Sequence, residues 1–88
     1  MRLILYSKPG CHLCEGLQEK LEQIQTLNLE LEVRDITTRD DWFSAFEYEI
    51  PVLCRISAQD NGVEEPLPRP SPRATVKQLE QMLKKYLE

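Results

Sequence analysis

Ser7-Lys8-Pro9-Gly10-Cys11-His12-Leu13-Cys14-Glu15-Gly16 decides how the rest of the chain is read. Two cysteines separated by two residues can hold a metal, lock a structural disulfide or shuttle electrons. The flanks narrow the choice. Upstream, Leu3-Ile4-Leu5-Tyr6 is a short unbroken apolar run, the pattern of a buried strand, and Pro9-Gly10 ends it in a loop. Downstream, Leu13, Leu17, Leu21, Ile24 and Leu27 recur at helical spacing. Glu15, Glu19, Lys20, Glu22 and Gln23 take the other face. The pattern predicts an amphipathic helix from His12 to Leu27, stopped at Asn28. Cys11 then falls at the loop–helix junction, and Cys14 about one turn later.

Beyond the helix, Leu29-Glu30-Leu31-Glu32-Val33-Arg34 alternates strictly and reads as a strand with one wet face. Strand, helix, strand at this spacing predicts a βαβ unit with parallel strands and a right-handed crossover. Thr37, Thr38 and Asp40 are helix-cap candidates, and Asp40-Asp41 reads as capping, ahead of a short helix carrying Trp42, Phe43 and Phe46 in the core. Ile50 to Ile56 is the third strand, opened by Pro51, with Cys54 buried in it as a structural residue. Asp60-Asn61-Gly62 signals a tight turn into a fourth strand, Val63 to Leu67. Pro66 places that strand at the sheet edge, where Glu64-Glu65 would stay solvated. Pro68-Arg69-Pro70-Ser71-Pro72 is a stiff linker. Thr75 and Gln78 have capping-box spacing, and Val76, Leu79, Met82, Leu83, Tyr86 and Leu87 form the apolar face of a closing helix. The order β-α-β-α-β-β-α predicts an α/β fold: one domain over residues 1–88, a four-stranded mixed sheet, helices on both faces.

The bulk numbers narrow the function classes. A chain of 88 residues with 41% hydrophobic and 30% charged residues is built like a small globular domain. No apolar run approaches the ~20 residues of a membrane span, and the N-terminus lacks a secretory apolar stretch, so a cytoplasmic protein is expected. A net charge of −4 argues against nucleic-acid partners, because little here would neutralise phosphates. Three cysteines are too few for a disulfide-built domain, and in a reducing compartment a close pair is more often catalytic or metal-binding.

The position of the pair favours redox chemistry. Unpaired N–H groups and the positive end of the helix dipole meet Cys11, with Lys8 and His12 as nearby cations, and all of these favour a thiolate. Thiolate is the attacking species in disulfide exchange. Cys11 is therefore the expected nucleophile, and Cys14, beside Leu17 and Leu21, the resolving thiol. A zinc site would need four ligands from Cys11, His12, Cys14 and Cys54, and His12 is badly placed between the two cysteines. An iron–sulfur cluster shared between two chains through Cys11 is a second reading, and a non-catalytic binding module a third.

The run Tyr6 to Cys14, with its lysine three residues before the first cysteine, resembles the active-site loop of the glutaredoxins. Ile50-Pro51-Val52 is similar to that family's cis-proline segment. The resemblance covers nearly the whole chain and implies a thioredoxin-like fold in a small glutaredoxin-like protein. It implies a cis Pro51 facing Cys11, and an Ile50 backbone that pairs strand-like with a bound thiol substrate. It places Tyr6, Ile50 and Pro51 in substrate binding. It implies no bound cofactor. The partners would be a disulfide-containing protein or small thiol, and a reductant, either glutathione or a thioredoxin-reductase-type donor. A monomer is expected. The chain departs from the family after strand four: no Gly-Gly precedes an acidic residue, and Leu67-Pro68-Arg69-Pro70-Ser71-Pro72-Arg73 stands there instead. Three prolines remove backbone donors from that stretch. Arg69 or Arg73 could replace them with charge, as Lys8 and Arg39 could at the other end.

Overall fold

β1 (Arg2–Ser7) lies inside the sheet because five consecutive residues, Leu3 to Ser7, are buried on both of its faces. In the computed structural model, which describes residues 1–57 and 62–86, β1 pairs in parallel with β2 (Glu30–Asp35), from Arg2 opposite Glu30 to Ser7 opposite Asp35. On its other side it pairs antiparallel with β3 (Val52–Ile56), which in turn pairs with β4 (Glu64–Pro66). The sheet order is β2-β1-β3-β4, mixed as expected.

Alternation along β1 builds two cores. Leu3 and Leu5 join Leu53 beneath α1 (His12–Glu22) and α3 (Val76–Lys84), whose Leu17, Leu21, Leu79 and Leu83 close one layer. Ile4 and Tyr6 join Cys54 and Ile36 on the opposite face, where Trp42 and Phe46 of α2 (Asp40–Phe46) cover them. Each buried leucine or isoleucine contributes roughly 1.5–3 kcal/mol of transfer free energy. The helices thus lie on both faces. α3 starts in a full capping box: the Thr75 hydroxyl accepts from Gln78 N–H at 3.1 Å, and the Gln78 side chain accepts from Thr75 N–H at 2.9 Å.

Several boundaries differ from the sequence reading. α1 stops at Glu22, with Gln23 as its C-cap, and does not reach Leu27. Ile24 and Leu27 keep the apolar spacing but enter the core from the turn that sends the chain back to β2. β2 is an edge strand, and its Val33 is 41% exposed, so strict alternation there does not separate a dry face from a wet one. β2 also runs one residue later than its pattern suggested, and β4 is shorter than Val63 to Leu67.

Caps are reassigned as well. Asp35 caps a 3₁₀ turn at Ile36–Thr38, accepting from Thr37 N–H at 2.9 Å. Arg39 holds the N-cap position of α2 with no side-chain cap. Asp40 and Asp41 occupy its first turn, where negative charge is favourable. Phe43 is 39% exposed, outside the core expected for it. Glu64 and Glu65 are not idle edge charges: Glu64 accepts from Tyr6 and Arg34, and Glu65 accepts from Arg55. The Asp60-Asn61 part of the predicted turn and Leu87 lie outside the described residues; Gly62, within them, takes the φ of +79° that a tight turn asks of glycine.

Candidate active site

The loop after β1 is a tight turn whose residues are suited to it. Cys11 N–H donates to the Lys8 carbonyl at 3.2 Å, closing a four-residue turn with Pro9 and Gly10 at its centre. Gly10 has φ +81°, the value a type II turn requires at that position, and Pro9 supplies the fixed φ before it. The turn delivers Cys11 to the N-cap of α1 in extended conformation. Its sulfur accepts from the Cys14 N–H at 3.2 Å, and its carbonyl accepts from Glu15 N–H at 3.0 Å. The cysteine thus takes the capping role that a serine or aspartate usually fills.

Cys11 and Cys14 are joined by a disulfide, with Cα atoms 5.3 Å apart. Their environments are unequal. Cys11 is partly exposed, whereas Cys14 is 0% exposed and packed with the α1 core residues. Lys8 and His12 both stand in solvent beside them, and His12 Nδ1 lies 3.7 Å from the Glu15 carboxylate.

A cavity of about 250 Å³ opens beside His12 and Leu13, the two residues between the cysteines, and neither cysteine lines it. One wall is the α1 face that carries His12, Leu13, Gly16, Leu17 and Lys20, and the opposite wall is Pro51 with the Arg69–Pro72 segment. The Ile50–Pro51 peptide bond is cis, as the resemblance implied. Two side chains fasten the proline-rich segment down. Lys20 Nζ donates to the Pro72 carbonyl at 2.8 Å, and the Arg69 guanidinium donates to the Ile50 carbonyl at 3.2 Å. The sequence pattern places Lys20 on the solvated side of the helix. The spacing of Leu13, Gly16, Leu17 and Lys20, at i, i+3, i+4 and i+7, was the available sign that they share one face.

Two expected substrate contacts are placed differently. Tyr6 does not line this cavity. It is 2% exposed, on the α2 side of the sheet, because side chains alternate along β1 and Leu5 takes the α1 side. Its ring lies 4.3 Å from that of Phe46, centroid to centroid, and Arg34 stacks over both Tyr6 and Trp42. Burial and the hydrogen bond to Glu64 push the Tyr6 hydroxyl up to about 12. The Ile50 backbone is also engaged: its N–H donates to the Phe46 carbonyl at 3.1 Å, and its carbonyl accepts from Arg69. Cys54 is buried and free, and burial pushes its thiol up to about 11.

The sequence profile of the glutaredoxin-like domain matches residues 2–84. The chain belongs to the glutaredoxin-like domain family. Among solved structures, this glutaredoxin-like protein is similar to target protein XcR50 from X. campestris, with a TM-score of 0.60 and 25% identity over 94% of this chain and 96% of that one. No curated protein matches it. The fold is thioredoxin-like, and the Cys11–Cys14 pair fits the CxxC redox motif of such folds. Among the described residues, no helix is long and apolar enough to cross a membrane.

Proposed function

We propose that this glutaredoxin-like protein is a thiol–disulfide oxidoreductase, with Cys11 as nucleophile and Cys14 as resolving thiol. The observation that carries the reading is the asymmetry of the pair: one sulfur partly exposed on a helix N-cap, its partner fully buried one turn behind. In the reduced protein the helix N-terminus and the Cys14 N–H favour negative charge on Cys11.

The Cys11 thiolate attacks one sulfur of a substrate disulfide. A mixed disulfide forms, and the other substrate sulfur leaves as a thiolate that takes up a proton. Cys14, deprotonated as it reacts, then attacks the Cys11 sulfur. The Cys11–Cys14 disulfide forms and the second substrate thiol departs. Two electrons pass from the dithiol to the substrate, and an external thiol donor restores the pair. Glutathione or a thioredoxin-reductase-type enzyme could serve as that donor. Pro51 gives the cavity a wall that offers no N–H of its own.

The test is intact mass after equilibration across a series of reduced to oxidised glutathione ratios. An internal disulfide that is lost in Cys14→Ser, with a glutathione adduct trapped on Cys11 in that variant, is the expected result. A Cys11→Ser variant that still reduces disulfides at the wild-type rate would overturn the mechanism.

A further inference from the structure

Cys11 shares the start of α1 with a second anion. Glu15 lies in the first turn of the helix, and its N–H donates to the Cys11 carbonyl at 3.0 Å, so the two residues stand one turn apart. The positive end of a helix favours negative charge on either side chain. The Cys11 sulfur takes that position directly, accepting from the Cys14 N–H at 3.2 Å. A carboxylate one turn away opposes a thiolate there by like-charge repulsion.

The two cations that flank Cys11 also meet Glu15. His12 Nδ1 lies 3.7 Å from the Glu15 carboxylate, and protonated His12 would form an ion pair there. Lys8 lines a cavity of about 230 Å³ together with Glu15 and with Asp35 at the end of β2. Asp35 is already engaged: its carboxylate accepts from the Thr37 N–H at 2.9 Å and from the Thr37 hydroxyl at 2.6 Å. On the Pro51 side the charged groups are Arg69 and Lys20, which donate to the carbonyls of Ile50 and Pro72. Glu15 is therefore the carboxylate common to His12 and Lys8. Seen from the Cys11 sulfur, its charge offsets one of them.

Resting on the oxidoreductase reading, we infer that Glu15 is a positioning residue of the dithiol: its carboxylate, one turn behind Cys11 and shared by His12 and Lys8, restrains the Cys11 thiolate and keeps the Cys11–Cys14 couple reducing. The reduced form carries the thiolate, whereas the disulfide carries no charge at Cys11. A nearby carboxylate thus penalises only the reduced form, and the dithiol gives up its two electrons to a substrate disulfide more readily.

The pH profile of Cys11 alkylation tests this without disulfide exchange. Reduced protein is treated with iodoacetamide, a neutral reagent that no side-chain charge steers, and Cys11 labelling is followed by peptide mapping. Glu15→Gln should lower the midpoint of the profile by about 0.3–0.8 pH unit, the size expected for one charge a helical turn away in a solvated setting. Added salt should shrink the shift. Glu15→Asp keeps the charge and should keep the midpoint near its wild-type value. Glu19→Gln removes the same charge one turn further along α1 and should move the midpoint less than half as far. An unmoved midpoint in Glu15→Gln, or an equal shift in Glu19→Gln, overturns the inference.

The couple is read separately. Above the alkylation midpoint, at one fixed ratio of reduced to oxidised glutathione, Glu15→Gln should hold about two- to sixfold more dithiol relative to disulfide than wild type. An equal or lower proportion of dithiol overturns the inference. If no Cys11–Cys14 disulfide forms in either protein while the alkylation midpoint still falls in Glu15→Gln, the restraint of Cys11 by Glu15 stands and the oxidoreductase reading fails.

Discussion

The backbone N–H of Cys14 donates to the sulfur of Cys11 at 3.2 Å, so the partly exposed residue of the pair also caps the helix at the buried one. The helix start, the disulfide and the difference in burial come from a single turn of chain. Cys54, the third thiol, shares none of this. It is 3% exposed on β3, with its thiol pushed up to about 11 by burial.

The contrast predicts selective alkylation. In the reduced native protein at neutral pH, iodoacetamide should label Cys11 first. Cys54 should label only when denaturant opens the sheet, because thiolate is the reacting form and burial disfavours it. Peptide mapping after timed quenching checks the order. Early labelling of Cys54 in the folded protein would contradict its placement.

Tyr6 predicts an alkaline limit to stability. Its hydroxyl is raised from an ordinary 10.0 to about 12 by burial, with the Glu64 hydrogen bond adding to it. A group whose folded pKa is raised contributes fully below the unfolded value, and that contribution is lost as pH climbs through the folded value. Stability should therefore hold up to about pH 10 and fall between pH 10 and 12, by about 2–3 kcal/mol in total. Denaturant melts across that window measure it. Tyr6→Phe should flatten the fall, and an unchanged slope in that variant would assign the loss elsewhere.

Gly16 sits inside α1, on the cavity wall, and a Cβ built on it meets nothing within 4 Å. Gly16→Ala should therefore stabilise the protein by about 0.5–1 kcal/mol, from helix propensity and a less flexible unfolded chain. Thermal unfolding of the reduced protein reads the gain. A drop in melting temperature would mean that the helix face is more crowded than it is here.

Thr75 anchors α3, which closes the core with Leu79 and Leu83, both no more than 1% exposed. Thr75→Ala removes the acceptor for Gln78 N–H and should cost about 1 kcal/mol. Leu83→Ala, which hollows the same core, should cost about 2–5 kcal/mol. Urea melts should rank the two in that order, and the reverse ranking would place the helix's stability in its cap and not in its packing.

Much of the architecture is legible in local pattern. The apolar run Leu3 to Tyr6, the Pro9-Gly10 turn, the periodicity from Leu13 to Leu21 and the Thr75/Gln78 box each report a local preference that the fold keeps. Element ends are less legible. α1 stops at Glu22 although Ile24 and Leu27 continue its spacing, because the core accepts apolar side chains from a turn as readily as from a helix.

The sequence by itself determined the dithiol's placement: a turn suited to Pro9-Gly10, a helix start, and two sulfurs one turn apart. These depend on neighbours in the chain. Tertiary structure decided what surrounds the pair. Tyr6, two residues before the turn that begins at Lys8, is turned to the far face by strand alternation and spends its hydroxyl on Glu64. Arg69 and Lys20, 49 residues apart in number, meet across one cavity because β4 and α3 bring the proline-rich segment back against α1. Contacts between segments so distant depend on the packing of the whole sheet, and no local pattern encodes them.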